Sequence, residues 1–252
     1  MAASAGVSAF SSILVWNYRE VLEILGISGP SQARDMIELT SHDSDSGFRE
    51  YVPNVIAGGE VTLDGNLIVG DTYGQVAFHT DVQGGTKRNA FIVMPMGVGS
   101  SLFFAAFAKG FEASFPYDSK IGVTGSLVVT GKPLLLTSQA TGLTTPFRSG
   151  IKDGGVSTGG ALTIIPAGAA TTYEYTCTVD ADTTGVKLTI TCTGQTPYIQ
   201  GIANVSGVQT SAAIALGAAG TVTTIFILCY TTATPPGTSP RVYRLLVTRP
   251  AA

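Results

Sequence analysis

His42 stands in the run His42-Asp43-Ser44-Asp45, one imidazole and two carboxylates within four residues. Such a set invites a divalent cation, but a zinc site needs four donors converging on a tetrahedron, and neighbours on a polar loop do not converge. Nor is it an EF-hand loop, because no Glu closes it at the twelfth position. The run reads as solvated turn residues. His79, the other histidine, sits beside Phe78 with no acid–base partner nearby in sequence, and reads as a structural residue. Cys177, Cys192 and Cys229 are odd in number and form no CxxC pair, so no disulfide framework or metal knuckle is expected. Cys177 and Cys192 fall within alternating strand patterns, which predicts buried free thiols.

Other chemistry is equally sparse. The chain has no GxSxG elbow, no P-loop lysine motif and no GxGxxG ahead of a helix. The doublets Gly58-Gly59, Gly84-Gly85, Gly154-Gly155 and Gly159-Gly160 fall between strand patterns and read as turns. Convergent reactive groups are missing, so the expectation is a protein that is not an enzyme and needs no cofactor and no metal.

The elements are those of a β protein. Of 252 residues, 44% are hydrophobic and only 12% charged, which excludes intrinsic disorder. A net charge of −3 gives no basic footprint for nucleic acid. No run of about 18 apolar residues suggests a membrane span. The start, MAASAGVSAF, has no basic residue before its apolar ones and does not read as a secretory signal.

Composition shifts near Pro133. Residues 1–133 carry 8 Lys/Arg and 13 Asp/Glu, while residues 134–252 carry 6 and 4. Threonine rises from 7 to 25 across the same boundary. A Thr-rich, weakly charged, Gly-punctuated run predicts an all-β sandwich. The organisation expected is a first domain over 1–133, a linker over 134–155 rich in Gly and Pro, and a second domain over 156–252.

In the first domain, Arg19–Ile27 reads as one strand. Glu60, Thr62, Asp64 and Asn66 alternate with Val61, Leu63 and Gly65, a strand with one wet and one core face. Leu102–Phe115 and Ile121–Thr130 supply two more strands. One helix is expected between Asn66 and Leu102, with Asp71 as N-cap, Tyr73, Val76, Ala77 and Thr80 at helical spacing, and Gly84 at its end. In the second domain, Tyr173–Val179, Val186–Cys192, Thr221–Tyr230 and Val242–Arg249 are the strands.

One stretch is more specific. Ile37-Glu38-Leu39-Thr40-Ser41-His42-Asp43-Ser44 is followed by Gly47-Phe48-Arg49-Glu50-Tyr51-Val52-Pro53 and then by Gly58-Gly59-Glu60-Val61. Ser28-Gly29-Pro30 lies just upstream, and Lys109-Gly110-Phe111, Pro116, Asp118, Lys120 and Gly131-Lys132-Pro133 follow. In order and spacing this resembles the siphophage major tail, or tail tube, proteins over residues 10–133. Residues 173–249 resemble, more generically, a cadherin-like or immunoglobulin-like β-sandwich.

The tail tube resemblance implies a β-sandwich or barrel domain with one packed helix, followed by an Ig-like decoration domain. It implies hexameric rings stacked into a hollow, non-contractile tube around a tape measure protein, with terminator and baseplate proteins at its ends. Viral DNA passes through during ejection without specific binding. The location implied is the virion tail, after assembly in the host cytoplasm, with no membrane insertion by this chain. The motif loop, Thr40–Gly59, is implied to reach a neighbouring subunit through His42, Asp43, Phe48, Arg49, Tyr51, Val52, Val55 and Ile56. Glu60 and Asp64 share the wet face of their strand, and Glu20 and Glu23 are further candidates to face the bore. An acidic wall suits a polyanion that must slide, whereas a basic wall holds it by counterion release. Two other readings use the same residues: another tail ring component, baseplate or terminator, and a carbohydrate-binding or adhesion module built on the sandwich.

Overall fold

A computed structural model describes residues 12–40, 48–95, 98–140, 142–165, 173–192, 194–204, 213–231 and 236–252. The chain is mainly β. It begins with β1 (Ile13–Trp16), β2 (Arg19–Glu20), β3 (Ile24–Ser28), β4 (Ala33–Glu38), β5 (Tyr51–Ala57), β6 (Glu60–Asn66) and the helix α1 (Gln75–Gly84). It continues with β7 (Lys87–Val93), β8 (Ser101–Ser114), β9 (Gly122–Leu136), β10 (Leu143–Asp153), β11 (Ile164–Ile165) and β12 (Glu174–Thr178). Last come β13 (Gly185–Cys192), β14 (Thr196–Ile199), β15 (Ile202–Ala203), β16 (Ile214–Ala215), β17 (Thr221–Tyr230) and β18 (Arg241–Arg249). Two compact units are present. One is Val21–Phe91 with Phe103–Leu134; the other is Met1–Glu20, Ile92–Leu102 and Leu135–Ala252.

The first unit is built on a sheet in which β7, β8, β9, β6 and β3 lie side by side in that order. β6 alternates as its sequence requires: Val61, Leu63 and Gly65 are buried, Thr62 and Asp64 exposed. Helix α1 packs on the buried face. Phe78, 2% exposed, lies over Gly125, where a Cβ would stand 3.3 Å from its ring. Ile24, Leu63, Phe111 and Val123 complete that pocket.

The helix does not use the face its apolar spacing predicts. Gln75, Phe78 and Asp81 are buried, while Tyr73, Val76 and Thr80 are exposed. Hydrogen bonding explains this, since a polar group is buried at little cost once its bonds are made. The Gln75 amide donates to the carbonyls of Leu22 and Asn66 and accepts from the Ile68 N–H. Asp81 holds the Arg88 guanidinium through contacts of 2.8 and 3.1 Å. Asp71 does organise the helix start, its carboxylate accepting from the N–H groups of Gly74, Gln75 and Leu22. Gly74 is nonetheless the backbone N-cap, and Gly85, in the left-handed region at φ 58°, closes the far end. The strand expected over Arg19–Ile27 is two shorter ones, because Glu23 takes φ 53° in a turn between them.

The second unit contains a two-sheet sandwich. β10, β13 and β16 form one sheet; β11, β12, β18, β17, β14 and β15 form the other in that order. Tyr175, Cys177, Leu188, Ile190, Ile225, Ile227, Leu245 and Val247 meet between them. β17 spans the predicted Thr221–Tyr230. The Gly/Pro-rich stretch expected to connect the domains instead carries β10, paired with β13 from Leu143↔Cys192 to Asp153↔Gly185. Register shifts between Leu143 and Ser149 accommodate Pro146, which has no N–H for a ladder.

Residues 12–20 belong to this unit. β1 and β2 form a hairpin whose turn residues, Asn17 and Tyr18, both take positive φ, as a two-residue type I′ turn requires. The Tyr18 ring stacks on Tyr198 at 4.3 Å and meets Tyr230 at 5.6 Å. Glu20 is buried and pairs with Arg244, whose Nε donates to its carboxylate at 3.1 Å.

The cysteines differ from expectation. Cys192 and Cys229 are joined as a disulfide, with Cα atoms 6.6 Å apart, because the inward positions of β13 and β17 face each other across the core. Cys177 is the free thiol, and burial pushes its pKa up to about 11. Burial also pushes the Tyr175 phenol up to about 12, and raises Tyr230 and Tyr243 above the ordinary tyrosine value. These phenols are neutral when folded and ionise more readily when unfolded. Their contribution is therefore intact below pH 10 and is lost as pH rises toward 12, roughly 2 kcal/mol from Tyr175 alone. We expect the sandwich to melt at a markedly lower temperature at pH 11 than at pH 8. Equal melting temperatures at the two values would contradict the burial of these rings.

Candidate assembly surfaces

β4 and β5 form a two-stranded arm that belongs to none of the other three sheets. Its register sets Ile37 against Val52, Met36 against Pro53, Glu38 against Tyr51 and Arg34 against Ile56, with a bulge between Arg34 and Met36. Directly opposed residues share a face and successive residues alternate. Ile37 and Val52 thus lie on one face, and Met36, Tyr51, Pro53 and Ile56 on the other. Every residue of both strands is exposed. Val55, at 69%, and Phe48, at 75%, are the barest of the apolar group. An isolated two-stranded hairpin is marginal in water, and apolar residues on both its faces gain nothing from exposure.

The base of the arm is fixed. The Ser31 N–H donates to the Glu60 carbonyl, and the Glu60 N–H donates to the Ser31 hydroxyl, both at 3.3 Å. Gly59 sits at φ 80°, and a Cβ there would run into the Ser31 carbonyl. Beyond β4, the Leu39 N–H donates to the Glu50 carbonyl, and the Thr40 hydroxyl bridges Glu38 and the Glu50 N–H. Arg49 reaches Glu38 at 3.4 Å in an exposed pair, which contributes little. Within the stretch expected as a loop from Thr40 to Gly59, Tyr51–Ala57 is therefore a strand, paired with β4. His42 and Asp43 lie outside the described residues.

The second surface is the wet face of β6 and its neighbours. Glu60, Thr62 and Asp64 lie opposite Val128, Ser126 and Thr124 of β9. Lys109 of β8 contacts Glu60 at 3.0 Å, so one of the two β6 carboxylates is partly offset. Glu23 is exposed and accepts from the Asn66 amide at 2.9 Å. Glu20 does not share this face; it is buried beneath Arg244 in the other unit. Lys109 belongs to the motif stretch and Thr124 and Ser126 to the expected Ile121–Thr130 strand, but none of the three was expected on this face. Alternation puts Thr124 and Ser126 on one face of β9, but only the register shows which strand β9 joins.

Among the described residues no group of three His, Cys, Asp or Glu side chains is placed to hold a metal ion, and no helix is long and apolar enough to cross a membrane.

No protein-family model matches the chain, and no curated protein does. Solved structures are similar over about half of it. A chain from the virion of a native gene transfer agent particle is 12% identical, covers 52% of this chain and 98% of its own length, with a TM-score of 0.43. A chain from the sheath/tube terminator of an extracellular contractile injection system, PVC, is 15% identical, over 53% and 99%, with a TM-score of 0.44. The SPP1 tail tube is 19% identical, over 56% and 73%, with a TM-score of 0.37.

Proposed function

We propose that this chain is the structural subunit of a non-contractile phage tail tube. Copies close into hexameric rings, and the rings stack into a hollow tube through which viral DNA leaves during ejection. The observation that carries this reading is the β4–β5 arm, anchored at its base and apolar on both exposed faces. Such an element suits insertion between two other surfaces, and in a tube of identical subunits those surfaces belong to further copies. The motif residues from Ile37 to Val61 that resemble tail tube proteins are those of the arm and its base. In this reading the sandwich region, 156–252, is an Ig-like domain decorating the outside, the tape measure protein fills the bore before ejection, and terminator and baseplate proteins cap the ends. The tube is part of the virion tail and is assembled in the host cytoplasm. The chain performs no catalysis.

Electron microscopy of the purified full chain tests this. Rings or tubes are expected; a monodisperse monomer at all concentrations would overturn it.

The carboxylates of the wet face, Glu60, Asp64 and Glu23, line the bore in this proposal, while Glu20 is committed to Arg244. Changing Glu60→Lys and Asp64→Lys together should slow DNA ejection, and slow it more at low salt than at high salt, since screening weakens the new charge contacts. Ejection kinetics of virions carrying both substitutions check this. A rate that does not depend on salt counts against placing this face in the bore.

A further inference from the structure

Cys192 and Cys229 occupy inward positions of facing strands, 1% and 0% exposed, in the core that Leu143, Leu188, Ile227 and Tyr243 also fill. A reduced cysteine packs in such a core as one more small apolar residue. The unit around it exceeds about 100 residues, and a chain of that size needs no covalent staple to fold. The two Cα atoms are 6.6 Å apart, a spacing that a disulfide accepts and that two packed thiols accept equally well.

The pair also has an entrance. Cys192 is the last residue of β13, and Cys229 is the last but one of β17. Cys229 stands opposite Pro197, which has no N–H to give to the ladder. Strand ends open locally far more readily than a whole domain unfolds. The third cysteine does not compete for the bond. Cys177 lies beside Val247 and Cys229 beside Arg241, six positions apart along β18, or about 20 Å.

We propose that Cys192 and Cys229 form a redox latch. The sandwich folds with both thiols reduced, and a low-molecular-weight disulfide then closes the bond across a core already formed. One cysteine, as its thiolate, attacks the small disulfide and expels one small thiol; the other attacks the mixed disulfide and expels the second. The two cysteines lose two electrons and two protons, and one small disulfide becomes two thiols. Once made, the bond is shielded in the core, and it ties residues 37 apart in sequence when the chain unfolds. A chain made in a reducing compartment and used outside it gains most from such a latch. That timing rests on the proposed function; the latch itself does not.

The test uses the purified full chain, reduced with dithiothreitol and then exposed to oxidised glutathione. Alkylation after denaturation, read by mass spectrometry, should count three thiols before oxidation and one after it, the survivor being Cys177. Circular dichroism should show the same strand content in both forms, and the oxidised form should melt about 10 °C higher. The double variant Cys192→Ala, Cys229→Ala should melt at one temperature with or without dithiothreitol. The proposal is overturned if three thiols persist after oxidation, if a different pair forms, or if the two forms melt together. A reduced chain that is unfolded would also overturn it, since the bond would then be a condition of folding. Failure of the full chain to form rings or tubes counts against the proposed function and leaves the thiol count and the melting shift as they are.

Discussion

Replacing Val52 and Ile56 together by aspartate should leave a folded chain that no longer assembles. The register places the two side chains on opposite faces of the arm, so the pair puts a charge on each. Both residues are exposed in the single chain, and substitution there should change its stability by less than about 0.5 kcal/mol. An interface that buries the arm is different. An unpaired carboxylate taken into apolar surroundings costs several kcal/mol, enough to weaken each arm contact by about 10³-fold or more. Sedimentation velocity and negative-stain microscopy read the assembly, and circular dichroism with a thermal melt reads the fold. The conservative pair Val52→Ile and Ile56→Val should assemble normally. Tubes that form unchanged from the aspartate variant would show that the arm is not what joins the copies.

The largest loss of stability should follow Phe78→Ala, at about 3–5 kcal/mol for removing a buried aromatic ring. Phe78 is the only large apolar side chain α1 buries fully; its buried neighbours, Gln75 and Asp81, are polar and already bonded. The ring fits because residue 125 has no side chain. Gly125→Ala should therefore destabilise the natural chain by forcing the ring aside, and should be better tolerated once Phe78 is alanine. Denaturant unfolding of the two single variants and the double variant measures that coupling. A cost below about 1 kcal/mol for Phe78→Ala would mean that the helix rests on the sheet without anchoring to it.

Legibility from sequence followed the kind of burial involved. β6 was readable because it alternates against a single core, and alternation survives without knowledge of partners; β17 was readable as a short apolar, β-branched run, buried throughout from Ile225 to Tyr230. The helix was readable in place but not in face, because its buried positions include Gln75 and Asp81, which hydropathy assigns to water. Only their hydrogen bonds, to Leu22, Asn66, Ile68 and Arg88, make them interior residues. The second half of the motif loop was hidden for a different reason. Tyr51–Ala57 contains Pro53 and no alternation, and it is a strand because β4 pairs with it. The Cys192–Cys229 link and the Glu20–Arg244 pair depend on register across the core and on a contact 224 residues apart in sequence. No local pattern carries either. For the candidate surfaces, the apolar residues from Phe48 to Ile56 were named from sequence, and the structure leaves all of them bare. The acidic set divided, with Glu60 and Asp64 on one wet face and Glu20 in a buried pair.

The clasp at the foot of the arm has a mechanical meaning. The arm leaves the sheet from the end of β3 and returns at the start of β6, and those two strands are neighbours, with β6 flanked by β9 on its other side. A pull on the arm therefore enters the sheet along the strand axes, at right angles to the hydrogen bonds of an antiparallel ladder. The bonds from Glu60 to Asn66 are loaded in shear, all at once, and do not open one after another like a zip. Ser31 and Gly59 tie the two legs together at the point of entry, so the load is shared between β3 and β6 before it reaches either. A polymer joined through such arms would be stiff under tension even where each joint, taken alone, is weak.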